Sequence, residues 1–403
     1  MNKRSHEFSW HPSYWLAALG AGGLAVSFFM YLMWIVPHDG SPMPTWEYLS
    51  PVLSGHLHFS AGVRTVVTLA LLFMVSLAFL HFYLMFWNQK AQRAAEKTLA
   101  YTGLLNTDAE IQLMTRPLSF AMTVNVCFAL GAVLVPGLWQ IVEYLFPLAV
   151  GAFAVIGYFA LKRYGRYLTR MLVSGGYKSE EHNHLSALIA IFTFAMLSVG
   201  FAAPAAMSES LAVATLAATF SILFLVIAVV GGGIILLSGL LAMMRHGLHA
   251  QATPSIWMLV PIMTLLGIEW VRIQHGLSLH FQTPIISGKM FFTLTAIFML
   301  QLSVLVLGYR IMQLNGYLRI HLYSEEFNPI SFGLICPGVA LVVMGMFWWH
   351  LVWVDSYIVT PFSATYWAGI AVLAVVQFYT LWALLRLSLR LFRYQPVTIA
   401  SLE

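Results

Sequence analysis

Charge is what this sequence has least of. Lys, Arg, Asp and Glu together make up 9% of its 403 residues, where a soluble domain carries about 25%, so water is not the solvent for most of its surface. Cysteine is nearly absent as well: Cys127 and Cys336 alone give neither a disulfide framework nor a CxxC metal site. The chain has no glycine-rich phosphate loop, no Ser/His/Asp arrangement in a motif context and no segment with the composition of a soluble catalytic domain, which argues against nucleotide-driven transport. It also lacks a basic face interleaved with aromatics. The excess of 20 Lys and Arg over 15 Asp and Glu therefore calls for no nucleic-acid partner; basic residues beside anionic lipid headgroups account for it.

What fills the chain is apolar: 60% of the residues are hydrophobic. A helix crosses a bilayer with about 20 mostly apolar residues, since the hydrocarbon core is about 30 Å thick and each residue rises about 1.5 Å. Ten such spans are expected, at 14–36, 62–87, 118–140, 143–162, 185–206, 210–243, 255–275, 286–313, 330–351 and 363–391. The first is too long for the apolar part of a signal peptide and no small-residue cleavage site follows, so it is expected to be retained. The sixth is longer than a perpendicular crossing needs. It is expected to tilt, to bend at Gly231-Gly232-Gly233 or to extend beyond the membrane.

Lys and Arg resist translocation, so their placement orients the spans. Lys3 and Arg4, then Lys90, Arg93, Lys97 and Arg116, then Lys162, Arg163, Arg166, Arg170 and Lys178 all fall on one side; Arg245, Arg310, Arg319, Arg386, Arg390 and Arg393 continue the pattern. The other side holds Arg64, Arg272 and Lys289. The expected location is the cell (inner) membrane, crossed many times, with both termini cytoplasmic.

A short phrase recurs at the start of odd-numbered spans: His11-Pro12-Ser13-Tyr14-Trp15, Arg116-Pro117-Leu118-Ser119-Phe120, Thr253-Pro254-Ser255-Ile256-Trp257 and Asn328-Pro329-Ile330-Ser331-Phe332, with His184-Leu185-Ser186 as a degenerate copy. Pro suits a first helical turn, and a neighbouring Ser can satisfy the free N–H groups there. The recurrence suggests a single membrane domain, residues 1–403, built from five repeated hairpins at 14–87, 118–162, 185–243, 255–313 and 330–391. The odd spans also hold Gly20, Gly22, Gly23, Gly131, Pro136, Gly200, Pro204, Pro261, Gly267, Pro337, Gly338 and Gly345. Two readings are open. Helix breakers at membrane depth suit a substrate path; small residues also let helices pack closely.

Ten helices in five hairpins, with the breakers in the odd members, resemble the tellurite-resistance/dicarboxylate transporter superfamily, which includes bacterial TehA and the plant slow anion channels. The likeness is carried by Phe327-Asn328-Pro329-Ile330-Ser331-Phe332-Gly333 through Gly345, and by Ala252-Thr253-Pro254 through Pro261. The resemblance implies an all-α integral membrane fold whose odd helices form an inner ring around a central anion pore, plugged by a helix-9 phenylalanine, often in trimers. Here that turn reads Phe332-Gly333-Leu334-Ile335-Cys336-Pro337-Gly338, with Phe332 near the cytoplasmic end and Cys336 at the deeper position. The TsoY-type (seleno)protein branch is similar in size, and a reactive Cys or Sec there fits it. By this resemblance Phe332, Cys336, Pro337 and Gly338, with Phe120, Asn125 and Cys127 of the third span, are the pore and gate candidates.

Ionisable residues inside spans are functional candidates because burying them is costly. Glu269 and Arg272, spaced i,i+3, share a helix face and either neutralise each other or form an anion site in which Arg272 attracts and Glu269 orients, with Arg64 as companion. His56, His58, His275, His280 and His350 could instead ligate a metal or haem b, although no spacing among them is diagnostic. Cys336 could be a reactive thiol, and its pairing with Cys127 requires their Cα atoms within about 7 Å. The expected function is passive transport of a small inorganic or organic anion across the bilayer, with no cofactor. The alternative is a membrane redox protein using Cys336 or a His-bound metal or haem.

Overall fold

The computed structural model describes residues 10–57, 59–105, 107–174 and 184–393. Lys3, Arg4, His58 and Lys178 lie outside them. Among the described residues there are helices and no strands. Ten helices are long and apolar enough to cross a membrane: α1 Pro12–Ile35, α2 Ala61–Ala95, α3 Asp108–Leu134, α4 Leu138–Val173, α5 Leu188–Met207, α6 Leu211–His246, α7 Ala250–Phe281, α8 Ser287–Leu314, α9 Pro329–Val354 and α10 Ala364–Arg393. Each overlaps one expected span.

Burial separates them into two sets. In the odd-numbered helices 44 to 94% of the most apolar window is buried, against 17 to 39% in the even-numbered ones. The odd helices touch in succession, α1 to α3, α3 to α5, α5 to α7 and α7 to α9, and α9 returns to α1. Each even helix lies against the odd helix before it. The even helices expose the residues hydrocarbon favours, such as Phe79 and Phe86 on α2 and Val372 and Val375 on α10.

The starts of the odd helices meet at one end of the bundle. Four enter through tight 3-10 turns, Pro12–Tyr14, Asp108–Met114, Ala250–Met258 and Pro329–Leu334. The residue before the turn, rather than the Ser within it, supplies the cap in three copies. His11 Nδ1 accepts from Ser13 N–H at 3.1 Å, His184 Nδ1 from Ser186 N–H at 3.3 Å and Asn328 Oδ1 from Ile330 N–H at 3.0 Å. The Ser and Thr hydroxyls tie neighbouring entries together instead. Thr115 donates to the Pro12 carbonyl, Ser119 to that of Trp15 and Thr193 to that of Met114, while Ser255 accepts from Leu185 N–H.

The glycines and prolines do not interrupt the odd helices at depth. Pro261 and Pro337 stand in the first turn of the α-helical parts, which begin at Leu259 and Ile335 because the 3-10 entry takes up the preceding turn; no internal N–H bond is lost there. Pro204 lies in the last turn of α5, and Pro136 follows the end of α3 at Leu134. The glycines serve close packing: a Cβ on Gly22 would strike His81 and Met122, on Gly267 Met344, and on Gly338 Thr380. α6 runs unbroken through Gly231–Gly233. Its 36 residues reach about 54 Å, so it tilts or extends past a bilayer core instead of breaking.

Candidate functional site

A cavity of about 440 Å³ lies among the five odd helices and is walled in part by α4. Toward the entry end its wall begins at Leu19, Met122, Phe192, Pro261 and Cys336. In the layer before that, Leu118, Leu188 and Phe332 are buried, as is Trp15, whose indole N–H donates to Gln92 of α2. Toward the other end the cavity reaches the surface, where Pro42 and His275 line it and are exposed.

The α7 part of the wall is a stripe: Pro261, Thr264, Leu265, Ile268, Val271, Arg272 and His275. Steps of three and four keep these on one helical face. Most of the cavity is apolar, with Met30, Met33 and Met196, Phe29, Phe128 and Phe347 in its wall. Its polar groups are few. Thr264 is occupied in joining α7 to α9 and α8, donating to the Ala340 carbonyl at 3.0 Å and accepting from Gln301 Nε2 at 2.6 Å. Asn125 Nδ2 contacts Met196 Sδ at 3.5 Å.

Arg272 is the only Lys or Arg among the residues that line this cavity. Its Nη1 donates to the Val199 carbonyl of α5 at 2.8 Å, and no carboxylate of the described residues lies within ion-pair distance of it. A guanidinium carries five donors, so most of its capacity remains for a ligand.

Glu269 does not pair with Arg272. One residue past Ile268, it is turned about 100° from the cavity stripe, and its Oε1 meets Ser221 Oγ of α6 at 2.9 Å. It is 1% exposed and lines no part of the cavity. Arg64 is not a companion to Arg272 either: it packs beneath the turn at Gly55, away from the cavity wall.

Of the gate candidates, the structure places Cys336 and Asn125 in the cavity wall. Phe332 lies in the packed entry layer against Phe327. Gly338 faces Thr380 of α10, and Pro337, although buried, does not line the cavity. Phe120 stacks beside Trp15 and Arg116, and Cys127 is exposed on the outer surface of α3. Cys336 lines the cavity and Cys127 does not, and both are free. The cavity's methionines and phenylalanines are wall that sequence reading missed. Phe128, three residues past Asn125, and Phe347, in step with Cys336 through Val339, Ala340 and Val343, stood at helical spacing from a residue already singled out.

The histidines do not converge. Among the described residues no three His, Cys, Asp or Glu side chains are grouped so as to hold a metal. His56 Nδ1 meets Ser54 Oγ, His275 Nδ1 the Val271 carbonyl and His280 Nε2 the Ser208 carbonyl. His350 uses both ring nitrogens, Nδ1 with the Met346 carbonyl and Nε2 with the Tyr366 hydroxyl. His350 also borders a second cavity of about 510 Å³, which shares Met33 and Trp34 with the first and carries His38, Asp39 and Asp355. Burial raises the Asp355 carboxyl above its ordinary range.

No family model, no curated protein and no solved structure matches this chain. What the protein does has to be read from the cavity.

Proposed function

We propose that this protein is a passive conduit for small anions, with the cavity among the odd helices as its path. The observation that carries the reading is Arg272: the one guanidinium in a mostly apolar wall, held by one carbonyl and by no carboxylate among the described residues. A half-buried cation at membrane depth without a counter-ion is costly, and an anion in the cavity relieves that cost. Low-dielectric walls strengthen the attraction, because less water screens the charge.

In this reading the odd helices are an inner ring and the even helices their lipid-facing shell, an arrangement favoured by their burial and mutual contacts. The buried layer of Leu118, Leu188 and Phe332 next to the cavity is the closed gate in this reading. The entry end faces the cytoplasm, on the side where Lys and Arg accumulate. The resemblance to the tellurite-resistance/dicarboxylate transporter superfamily points the same way, with Cys336 in the wall just beyond the gate.

The test is flux into liposomes holding the purified protein. Chloride, nitrate, sulfite and dicarboxylates are offered down their gradients. Entry of at least one, reduced in an Arg272→Gln variant, is the expected result; silence toward all of them overturns the reading.

A further inference from the structure

Two serines and a buried glutamate meet between α5, α6 and α7. Ser198 Oγ donates to the Ser221 carbonyl at 2.8 Å, and Ser221 Oγ donates to the Ser198 carbonyl at 2.9 Å. Each hydroxyl carries one hydrogen. Ser221 Oγ also lies 2.9 Å from Glu269 Oε1. The hydroxyl's single hydrogen can serve either acceptor, so Oε1 has a donor in Ser221. The other oxygen, Oε2, is buried without a partner among the described residues. An unpaired carbonyl oxygen of a neutral acid costs less there than half of an ionised group.

The surroundings offer no standing counter-charge. α5 has no ionisable residue from Leu188 to Met207, and α6 has none before Arg245 near its end. On α8, Lys289, Tyr309 and Arg310 stand toward the two ends; on α9, Cys336 lies in the cavity wall and His350 beside Tyr366. The one cation within a helical turn is Arg272, whose guanidinium bonds Val199, the residue after Ser198.

We propose that Glu269 is a proton-binding site that sets the charge of the cavity wall. Protonated, it joins α7 to the Ser198–Ser221 pair and leaves Arg272 available to an anion. When its O–H bond breaks and the proton passes to water at the cavity's exposed end, the carboxylate draws Arg272, three residues along the same helix, away from Val199. Residues at that spacing reach one another. The wall then carries no net charge. The transport consequence rests on the anion reading above, whereas the protonation does not.

The experiment has two arms. Infrared difference spectra between the wild type and Glu269→Gln at neutral pH are expected to show loss of a protonated carboxyl band. Titration of that band in the wild type to alkaline pH needs no variant and is expected to convert it to carboxylate bands. Loss of carboxylate bands at neutral pH instead overturns the proposal. In the second arm, nitrate flux into liposomes is expected to fall about tenfold on alkalinisation in the wild type and to stay at its acid-side level in Glu269→Gln. Flux that ignores pH in the wild type, although the band titrates, overturns the switch and leaves the anion reading standing. A protein silent to every anion sinks the anion reading, and the infrared arm still decides the proton site.

Discussion

Trp34 and His350 stack face to face, with ring centroids 4.6 Å apart and planes 6° from parallel. Trp34 ends α1 and His350 ends α9, so the stack ties the first odd helix to the last. His350 extends the link to α10 through Tyr366 at 3.0 Å. Trp34 lines both cavities, and His350 the second.

Replacing His350 with Ala removes the stack and strands the buried Tyr366 hydroxyl. The expected loss is about 1–3 kcal/mol, read as a lower thermal midpoint of the detergent-solubilised protein. Tyr366→Phe in the same background should add little more, because the hydroxyl it removes has already lost its partner.

Arg272→Gln keeps a hydrogen-bond donor for the Val199 carbonyl but removes the charge. Anion flux is expected to fall about tenfold or more, since a fixed charge in a low-dielectric cleft concentrates counter-ions to that degree. Arg272→Lys should retain part of the flux, because an ammonium attracts an anion but cannot reproduce the fork of a guanidinium. Equal flux in all three proteins would show that the anion does not meet this residue.

Gly338 permits α9 to press against Thr380 of α10, whose hydroxyl donates to the Val376 carbonyl at 2.7 Å. Gly338→Ala should cost about 1–3 kcal/mol through overpacking. Thr380→Ala in the same chain should recover part of it. A double-mutant cycle on thermal midpoints checks the coupling, and additive effects would argue against direct contact.

His11 gives the protein an acid-sensitive helix entry. Burial lowers its imidazole from 6.5 to about 4, and the neutral ring accepts the Ser13 N–H. The folded state therefore binds its proton less readily than the unfolded chain. Its contribution is fully present above pH 6.5 and is lost as the pH falls from there toward about 4. His11→Asn supplies a cap that does not titrate. Thermal midpoints measured across that range should fall less steeply in the variant than in the wild type.

The number and approximate limits of the ten helices were legible in the sequence because apolar length is a one-dimensional property: a bilayer demands it of each segment separately. The recurrent Pro-bearing entries were legible for the same reason, but the capping group was not: the pattern suggested the Ser, and His11, His184 and Asn328 supply it. Which way Arg272 and Glu269 turn was not. On α7 the polar residues Thr264, Glu269, Arg272, Gln274 and His275 fall on more than one face, so none marks the inside, and the i,i+3 spacing allowed an ion pair that the packing forgoes. The positions of the α5 carbonyl at Val199 and the α6 hydroxyl at Ser221 sent one side chain into the cavity and the other into a helix interface. Those partners lie 73 and 48 residues away along the chain, and only close packing of three helices brings them within hydrogen-bonding distance.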